Sequence, residues 1–365
     1  AFFNKWLVDL IQDGQLEDGS FPHVAPDVIQ GGGAVAWGDA AIICPWLYYQ
    51  FYGDTAVIER HYDRLMKGMD FLEKTSNHYI RKDLGFGDWL NLGGGAKDEV
   101  ICTAYYAYLA DIMAQMAGLI GRTDAAARYT ELHKNIRQAF IDNFVDDQGR
   151  ILESSQTGYA LAFAFDLIPE DLRDKAADHY IQEIDRFDGH LATGFIGTPR
   201  LLPTLSLAGR DDVAYRLLLN TTYPSWLFQV TLGAATMWER WNGWTPDQGF
   251  GDSKMNSFNH YAFGAVGEWM YSRIAGIRPE TPGFSRIRIE PVPGGGLTSA
   301  RMAYQSIRGP IVSTWRIENG NFTLDVEIPA NTTARVRIPT ADPDAVTESG
   351  QSLEAAGITV ESRDA

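Results

Sequence analysis

Residues 100–144 read VICTAYYAYLADIMAQMAGLI, then GRTD, then AAARYTELHKNIRQAFIDNF. Two runs with apolar residues at helical spacing flank a short break, Gly121-Arg122-Thr123-Asp124, which ends one helix and caps the next. A turn this short joins antiparallel neighbours, so the stretch reads as a helical hairpin. The same pattern continues outward in both directions, over Ala40 to Tyr52, Val57 to Leu72, Tyr159 to Ile168, Ala176 to Ile184 and Ala262 to Ala275. Gly53-Asp54-Thr55 and Gly209-Arg210-Asp211-Asp212 are further turns of this kind. Between hairpins lie longer stretches rich in glycine and aromatics, at 14–36, 83–97, 187–200 and 221–255. Short turns alternating with long ones predict hairpins arranged around a centre, with the long loops emerging at one end. A site is expected there.

After Gly276 the period changes to two. Arg286 to Ile289, Ile311 to Ile317, Phe322 to Ile328 and Ala334 to Ile338 alternate, punctuated by Gly294-Gly295-Gly296 and by the hairpin signal Asn319-Gly320-Asn321. The expectation is a mainly α chain with a helical domain over 1–277 and a small antiparallel β-sandwich over 278–365. Glu348 to Ala365 carry no readable pattern.

Composition narrows the partners. The 365 residues are 45% hydrophobic and 21% charged, with 31 Lys+Arg against 47 Asp+Glu and a net charge of −16. Phosphate backbones and anionic membrane surfaces need clustered basic residues, so nucleic acid and membrane are excluded as partners, while neutral or cationic ligands stay open. No apolar run approaches the roughly 20 residues of a membrane span. Cys44 and Cys102 sit in apolar helical surroundings and read as small buried hydrophobes, which favours the cytoplasm without deciding the compartment. No residue pattern calls for a metal or a cofactor.

The chemistry gathers in the long loops. Trp37, Trp89, Trp226, Trp238, Trp241 and Trp244 lie in or beside them, mixed with Asp39, Asp88, Glu239 and His260. Indole faces pack on the C–H faces of pyranose rings while carboxylates and imidazoles bind hydroxyls, so the set points to sugar recognition. A single tryptophan is equally a core filler, as Trp6, Trp46 and Trp269 are expected to be on their helical faces. The sharpest element is Thr236-Met237-Trp238-Glu239-Arg240-Trp241, followed by Met255-Asn256-Ser257-Phe258-Asn259-His260-Tyr261. A glutamate between two tryptophans, with Arg240 favouring its ionised form, can act as the general base of a glycosidase. The same run also fits a surface Glu–Arg pair, and His260 at the start of an apolar helix also fits a structural role.

These motifs closely resemble the bacterial α-L-rhamnosidases of glycoside hydrolase family 78, from Ala1 to about Pro339. The matching stretches are Ala36 to Ala40, Gly87 to Leu90, Thr193 to Pro199, Tyr223 to Leu227, Met237 to Trp241 and Met255 to Gly264. The resemblance implies an (α/α)6 barrel followed by a β-sandwich, and inverting hydrolysis of terminal α-L-rhamnosides with Glu239 as the base. It implies that Trp37, Trp89 and His260 line the rhamnose pocket. Asp39, Asp88, Trp238, Arg240 and Trp241, from the same motifs, complete the expected substrate-binding set. A neutral rhamnose-containing glycoside meets no repulsion from a chain of this charge.

One family feature has no counterpart. The general acid belongs to a motif ending in a Gly-Trp-Thr-Gly-Asp type of sequence, and Glu17-Asp18 matches a family loop downstream of it. The chain also opens inside an amphipathic pattern, Phe2, Phe3, Trp6, Leu7, Leu10 and Ile11, with no cap ahead of it. The expectation is a barrel lacking its first helix, with the acid supplied by an N-terminal segment or a separate chain. Two other readings stay open: a rhamnose-binding remnant without catalysis, and another (α/α)6 enzyme such as a polysaccharide lyase, which would need a Tyr, His or Lys base.

Overall fold

The computed structural model describes residues 5, 7, 11, 13–82, 85–93, 96–152 and 155–362. Phe2, Phe3, Trp6 and Leu10 of the amphipathic opening lie outside them, whereas Leu7 and Ile11 are fully buried. The chain divides into two compact units, Ala1–Trp269 and Met270–Ala365.

The first unit is helical. Its elements are α1 (Ala40–Tyr52), α2 (Ala56–Thr75), a two-stranded ribbon of β1 (Ser76–Asn77) and β2 (Ile80–Arg81), α3 (Asp98–Leu119), α4 (Thr123–Phe144), α5 (Gln156–Ala164), α6 (Arg173–Asp185), α7 (Thr198–Leu207), α8 (Asp211–Leu219), α9 (Trp226–Thr231), the short ribbon β3 (Trp244–Thr245) and β4 (Gly249–Phe250), and α10 (Val266–Trp269). The α3–α4 turn shows why the hairpin forms. Gly121 adopts φ 73°, and Arg122 donates its N–H to Ala117 O at 2.8 Å, which turns the chain back and satisfies an orphan carbonyl. The expected side-chain cap is not made: Arg122 is the N-cap residue, and Asp124 instead places its charge in the first turn, where it meets the positive helix end.

Burial separates two layers. In α3 nearly every residue from Val100 to Ala110 is buried, so the helix is surrounded on all sides. In α4 only the stripe Tyr129, Leu132, Ile136, Phe140 and Phe144 is buried, which marks a helix with one solvent face. α1 packs on α3, α3 on α5, α5 on α7, and α7 on α10, while α2 backs both α1 and α3, α4 backs α3, α6 backs α5 and α8 backs α7. This is a ring of inner helices with an outer layer. The connections at 14–39, 82–97, 187–197 and 232–262 enter the N-termini of inner helices, so they share one end of the ring.

Two helical expectations are corrected. Ala262 to Ala275 is not one helix but a 3-10 turn (Ala262–Ala265), α10 and a π-turn (Met270–Ile274), in a segment weakened by Gly264 and Gly267. α7 escaped the periodicity because it carries Pro199 in its first turn, where proline is tolerated, and Pro203 inside.

The second unit contains two three-stranded sheets. One is ordered β10-β6-β5 (Thr333–Val336, Arg286–Ile289, Ile277–Pro279) and the other β7-β8-β9 (Ser299–Ser306, Gly309–Glu318, Asn321–Glu327). Every pair is antiparallel except β6 with β10, which is parallel. The hairpin at Asn319-Gly320 has φ 52° and 78°, the two positive angles of a type I′ turn, and pairs Glu318 with Asn321. β8 turns Ile311, Ser313 and Trp315 inward, and the Trp315 indole donates to Ile274 O at 2.7 Å. β7 was not anticipated because alanine and serine supply half of its inward positions, Ala300 and Ser306 beside Met302 and Tyr304.

Neither cysteine forms a disulfide, and burial pushes the Cys44 thiol up to about 11, which leaves it protonated and inert at neutral pH. No described helix is long and apolar enough to cross a membrane. Among the described residues no cluster of His, Cys, Asp and Glu could hold a metal ion.

Candidate active site

The two halves of the Trp-Glu-Arg-Trp and Asn-Ser-Phe-Asn-His signature run side by side. Glu239 donates its N–H to Ser257 O at 2.9 Å, and His260 donates its N–H to Met237 O at 2.9 Å. The Glu239 side chain is 9% exposed, and its Oε2 accepts the Ser257 N–H at 2.7 Å. Ser257 therefore orients the carboxylate. Arg240 does not: its guanidinium donates to Asn242 Oδ1 at 3.2 Å and to Met255 O at 3.4 Å, and among the described residues no ion pair joins it to Glu239. The residue next in sequence points elsewhere, and the orienting group is a backbone N–H that residue type cannot announce.

Two other loops carry Trp37 and Trp89. Trp37 meets Phe86 edge-on at 5.1 Å between ring centroids, and Phe86 meets Trp89 at 5.9 Å. Trp37 and Trp89 are half-buried and Phe86 is exposed, so the trio presents ring surface to solvent. Asp39 Oδ2 accepts the Ala36 N–H at 2.8 Å, closing the turn in which Ala36 takes φ 65° and which presents Trp37. Burial raises the Asp39 carboxyl above the usual carboxylate range, opposed by the Arg81 guanidinium and the Ala36 N–H. One of its oxygens is thus committed inside its own turn.

Asp88 corrects the expectation of a sugar ligand. It is 3% exposed, and both oxygens are occupied. Oδ2 accepts the Thr157 hydroxyl and the Gly194 N–H at 2.8 Å, and Oδ1 accepts the N–H groups of Ile196 at 2.9 Å and Gly197 at 3.0 Å. Burial pushes this carboxyl up as well, and the four donors oppose that rise. The carboxylate stitches the Trp89 loop to the loop carrying Phe195. Gly194 is required for the approach, since a Cβ there would lie 2.1 Å from Trp89 O.

Phe195 completes the belt. Its N–H donates to Trp89 O at 2.9 Å, and its ring lies 5.0 Å from His260. His260 in turn stacks on Tyr261, which is 87% exposed. Trp37, Phe86, Trp89, Phe195 and His260 thus form a continuous series of neighbours that leads to the strand-like pair holding Glu239. Phe86, Phe195 and Ser257 stand inside or beside the matched motifs, yet only the geometry gives them roles.

Trp226, Trp238 and Trp241 are core, whereas Trp244 and Trp46, the latter expected as a core filler, are half-buried, and Trp6 lies outside the described residues. Trp241 is 1% exposed, stacks on Phe263 at 4.1 Å and donates its indole N–H to Thr193 O at 3.1 Å, so it has no face to offer a sugar. Trp226 is likewise buried and bonded to Phe263 O, and Trp238 is buried edge-on to Phe258. They fill the floor under the loops.

Comparison with known proteins identifies both domains. Residues 1–274 match the model of the bacterial alpha-L-rhamnosidase 6 hairpin glycosidase domain, and residues 276–353 match the bacterial alpha-L-rhamnosidase C-terminal domain. An alpha-L-rhamnosidase of Streptomyces avermitilis is 46% identical over 346 residues, 94% of this chain and 33% of that protein. One from Formosa agariphila is 39% identical over 349 residues, 93% of this chain and 38% of that protein. The chain thus spans about a third of the length of these relatives. Among solved structures, the S. avermitilis alpha-L-rhamnosidase complexed with L-rhamnose superposes with TM-score 0.91 at 44% identity, covering 96% of this chain and 35% of that one. The Aspergillus terreus alpha-L-rhamnosidase gives 0.87 at 33% identity, covering 93% of this chain and 41% of that one. Helical ring, strand-rich second unit and motif positions all fall within these matches, and the chain belongs to the bacterial α-L-rhamnosidase family, with its six-hairpin glycosidase fold followed by its C-terminal domain.

Proposed function

We propose that this chain forms the sugar pocket and the base side of an inverting glycoside hydrolase that releases terminal α-L-rhamnose from neutral glycosides. The observation that carries the reading is the Glu239 carboxylate, nearly buried and held by the Ser257 N–H, beside a half-open belt of aromatic rings. As base, Glu239 takes a proton from the water that attacks the anomeric carbon, while the rings receive the C–H faces of the sugar. The family relatives named alpha-L-rhamnosidase, one of them complexed with L-rhamnose, supply the substrate class.

Inversion also requires a carboxylic acid about 6.5–9.5 Å from the base to protonate the leaving oxygen. Asp88 is saturated by four donors, Asp39 spends one oxygen on Ala36, and the family's acid motif has no counterpart in this sequence. The proposal therefore takes the acid from a further segment or a separate chain. The same observation favours one second reading, a rhamnose-binding module that does not turn over alone.

Hydrolysis of 4-nitrophenyl α-L-rhamnoside, run beside calorimetric titration with L-rhamnose, tests both. Turnover that falls about 10²–10⁴-fold in Glu239→Gln, with rhamnose binding kept and the β-anomer released first, supports the hydrolase. Binding without turnover supports the binding module. Folded protein that ignores millimolar rhamnose, or turnover indifferent to Glu239→Gln, overturns the assignment.

A further inference from the structure

Arg81, the last residue of β2, is fully buried. Its backbone N–H donates to the Thr103 hydroxyl on α3 at 3.1 Å, and its Nη2 donates to Gly33 O at 2.6 Å. Nε and Nη1 have no partner, and among the described residues no carboxylate forms an ion pair with the guanidinium. A buried cation with idle donors costs stability, so packing alone does not account for it. Its surroundings do. Gly33 opens the segment 33–39 that presents Trp37, and this segment closes on itself. Gly38 donates its N–H to Ala34 O at 3.0 Å, and a Cβ on Gly38 would lie 3.5 Å from Gly33 N. At the far end the Asp39 carboxylate accepts the Ala36 N–H and lies in the field of the same guanidinium.

We infer that Arg81 is a positioning residue of the sugar pocket, clamping both ends of segment 33–39 so that Trp37 keeps one direction toward the sugar; this rests on the rhamnosidase reading above. Arg81 itself touches no sugar, since no part of it reaches the surface. It holds one end through the Gly33 carbonyl. It holds the other through charge, by favouring the ionised Asp39 that grips Ala36. Tyr105 on α3 also faces Asp39, but burial pushes its phenol up to about 12, so it is uncharged near neutral pH. Trp37 is therefore held firmly only while Asp39 is ionised.

Calorimetric titration of the full 365-residue chain with L-rhamnose at a series of pH values tests the clamp. Arg81→Met and Arg81→Gln both drop the charge. In either, the loss of rhamnose affinity on acidification should begin about 1–3 pH units higher than in the parent, the range over which a neighbouring cation shifts a carboxyl. Arg81→Lys keeps the charge and should keep the acid limb close to the parent's. Affinity that falls by the same factor at every pH marks a purely structural arginine and overturns the inference, as does affinity unchanged in both neutral variants. Carbon-13 NMR of the Asp39 carboxyl, assigned with Asp39→Asn, gives an arm that needs no sugar. Its midpoint should rise in the neutral variants, and a midpoint that stays where it was overturns the clamp. If the midpoint rises while rhamnose binds to neither parent nor variant, the rhamnosidase reading is what has failed.

Discussion

Glu239 and Ser257 hold each other through two bonds, Glu239 N–H to Ser257 O at 2.9 Å and Ser257 N–H to the Glu239 carboxylate at 2.7 Å, on a pair of stretches closed again by His260 N–H to Met237 O. The backbone bonds fix the register of the two stretches, and the register delivers the Ser257 N–H to Oε2. A carboxylate gripped at one oxygen keeps its direction, and among the described residues no hydrogen bond occupies the other oxygen.

This arrangement predicts that the Ser257 N–H matters far more than its hydroxyl, which accepts only the exposed Asn259 N–H at 3.1 Å. Ser257→Pro removes the N–H and should lower kcat by about 10–100-fold, the worth of one charge-assisted hydrogen bond, while rhamnose affinity changes only a few-fold. Ser257→Ala keeps the N–H and should behave like the parent. Steady-state kinetics on 4-nitrophenyl α-L-rhamnoside, with circular dichroism to confirm folding, separates the two.

Asp88 predicts a stability effect. Asp88→Asn replaces one acceptor oxygen by an amide N–H₂ that faces donors, leaving buried N–H groups of the Phe195 loop unpaired. The cost is expected at about 3–5 kcal/mol by chemical denaturation, because each unsatisfied buried group costs about 1–3 kcal/mol. Rhamnose affinity should fall too, since the Trp89 and Phe195 loops lose the bridge that aligns them.

What was legible in the sequence follows from what residue type can encode. The hairpins were readable because buried stripes such as Tyr129, Leu132, Ile136, Phe140 and Phe144 repeat at helical spacing and glycines such as Gly121 mark the turns. The second unit was readable through alternation in β8 and the Asn319-Gly320 turn, while β7, with alanine and serine at inward positions, was not. At the site, motifs located the right loops but assigned roles by chemistry alone. Asp88 looked like a hydroxyl ligand because a carboxylate can be one, and its four donors come from residues 69 to 109 positions away. Trp241 looked like a platform because its partners Thr193 and Phe263 are distant in sequence. Long-range pairing decides such cases, and a single sequence does not display it.

A pH effect is expected from His61 on α2. It is 3% exposed, its Nε2 has no partner, and burial, with Arg60 and Arg64 beside it, pushes its pKa below the ordinary value. Unfolded, the same imidazole titrates near about 6.5. Below that pH the unfolded chain binds a proton that the folded chain refuses, so stability falls as pH drops from about 6.5 to the lowered folded pKa, and this contribution is flat above about 6.5. The slope is at most about 1.4 kcal/mol per pH unit. Urea denaturation at a series of pH values should show that His61→Phe loses this component, and identical slopes in both proteins would refute it.

The last prediction sets Trp241 against Trp89, two residues of one chemistry placed differently. Trp241 is 1% exposed with its indole N–H spent on Thr193 O, whereas Trp89 is half-buried and its ring edge faces Phe86. Truncating a fully buried tryptophan leaves a cavity and an unpaired carbonyl, so Trp241→Ala should cost about 3–5 kcal/mol of stability. Trp89→Ala removes ring surface that solvent already reaches, so its stability cost should be smaller, and its main effect should be a weaker rhamnose complex. Trp241→Phe sharpens the contrast, because it refills most of the cavity and should restore most of the stability while leaving rhamnose affinity near the parent value. Calorimetric titration with L-rhamnose beside denaturation of all three variants checks the assignment. An affinity loss for Trp241→Phe as large as that for Trp89→Ala would return Trp241 to the sugar-binding surface.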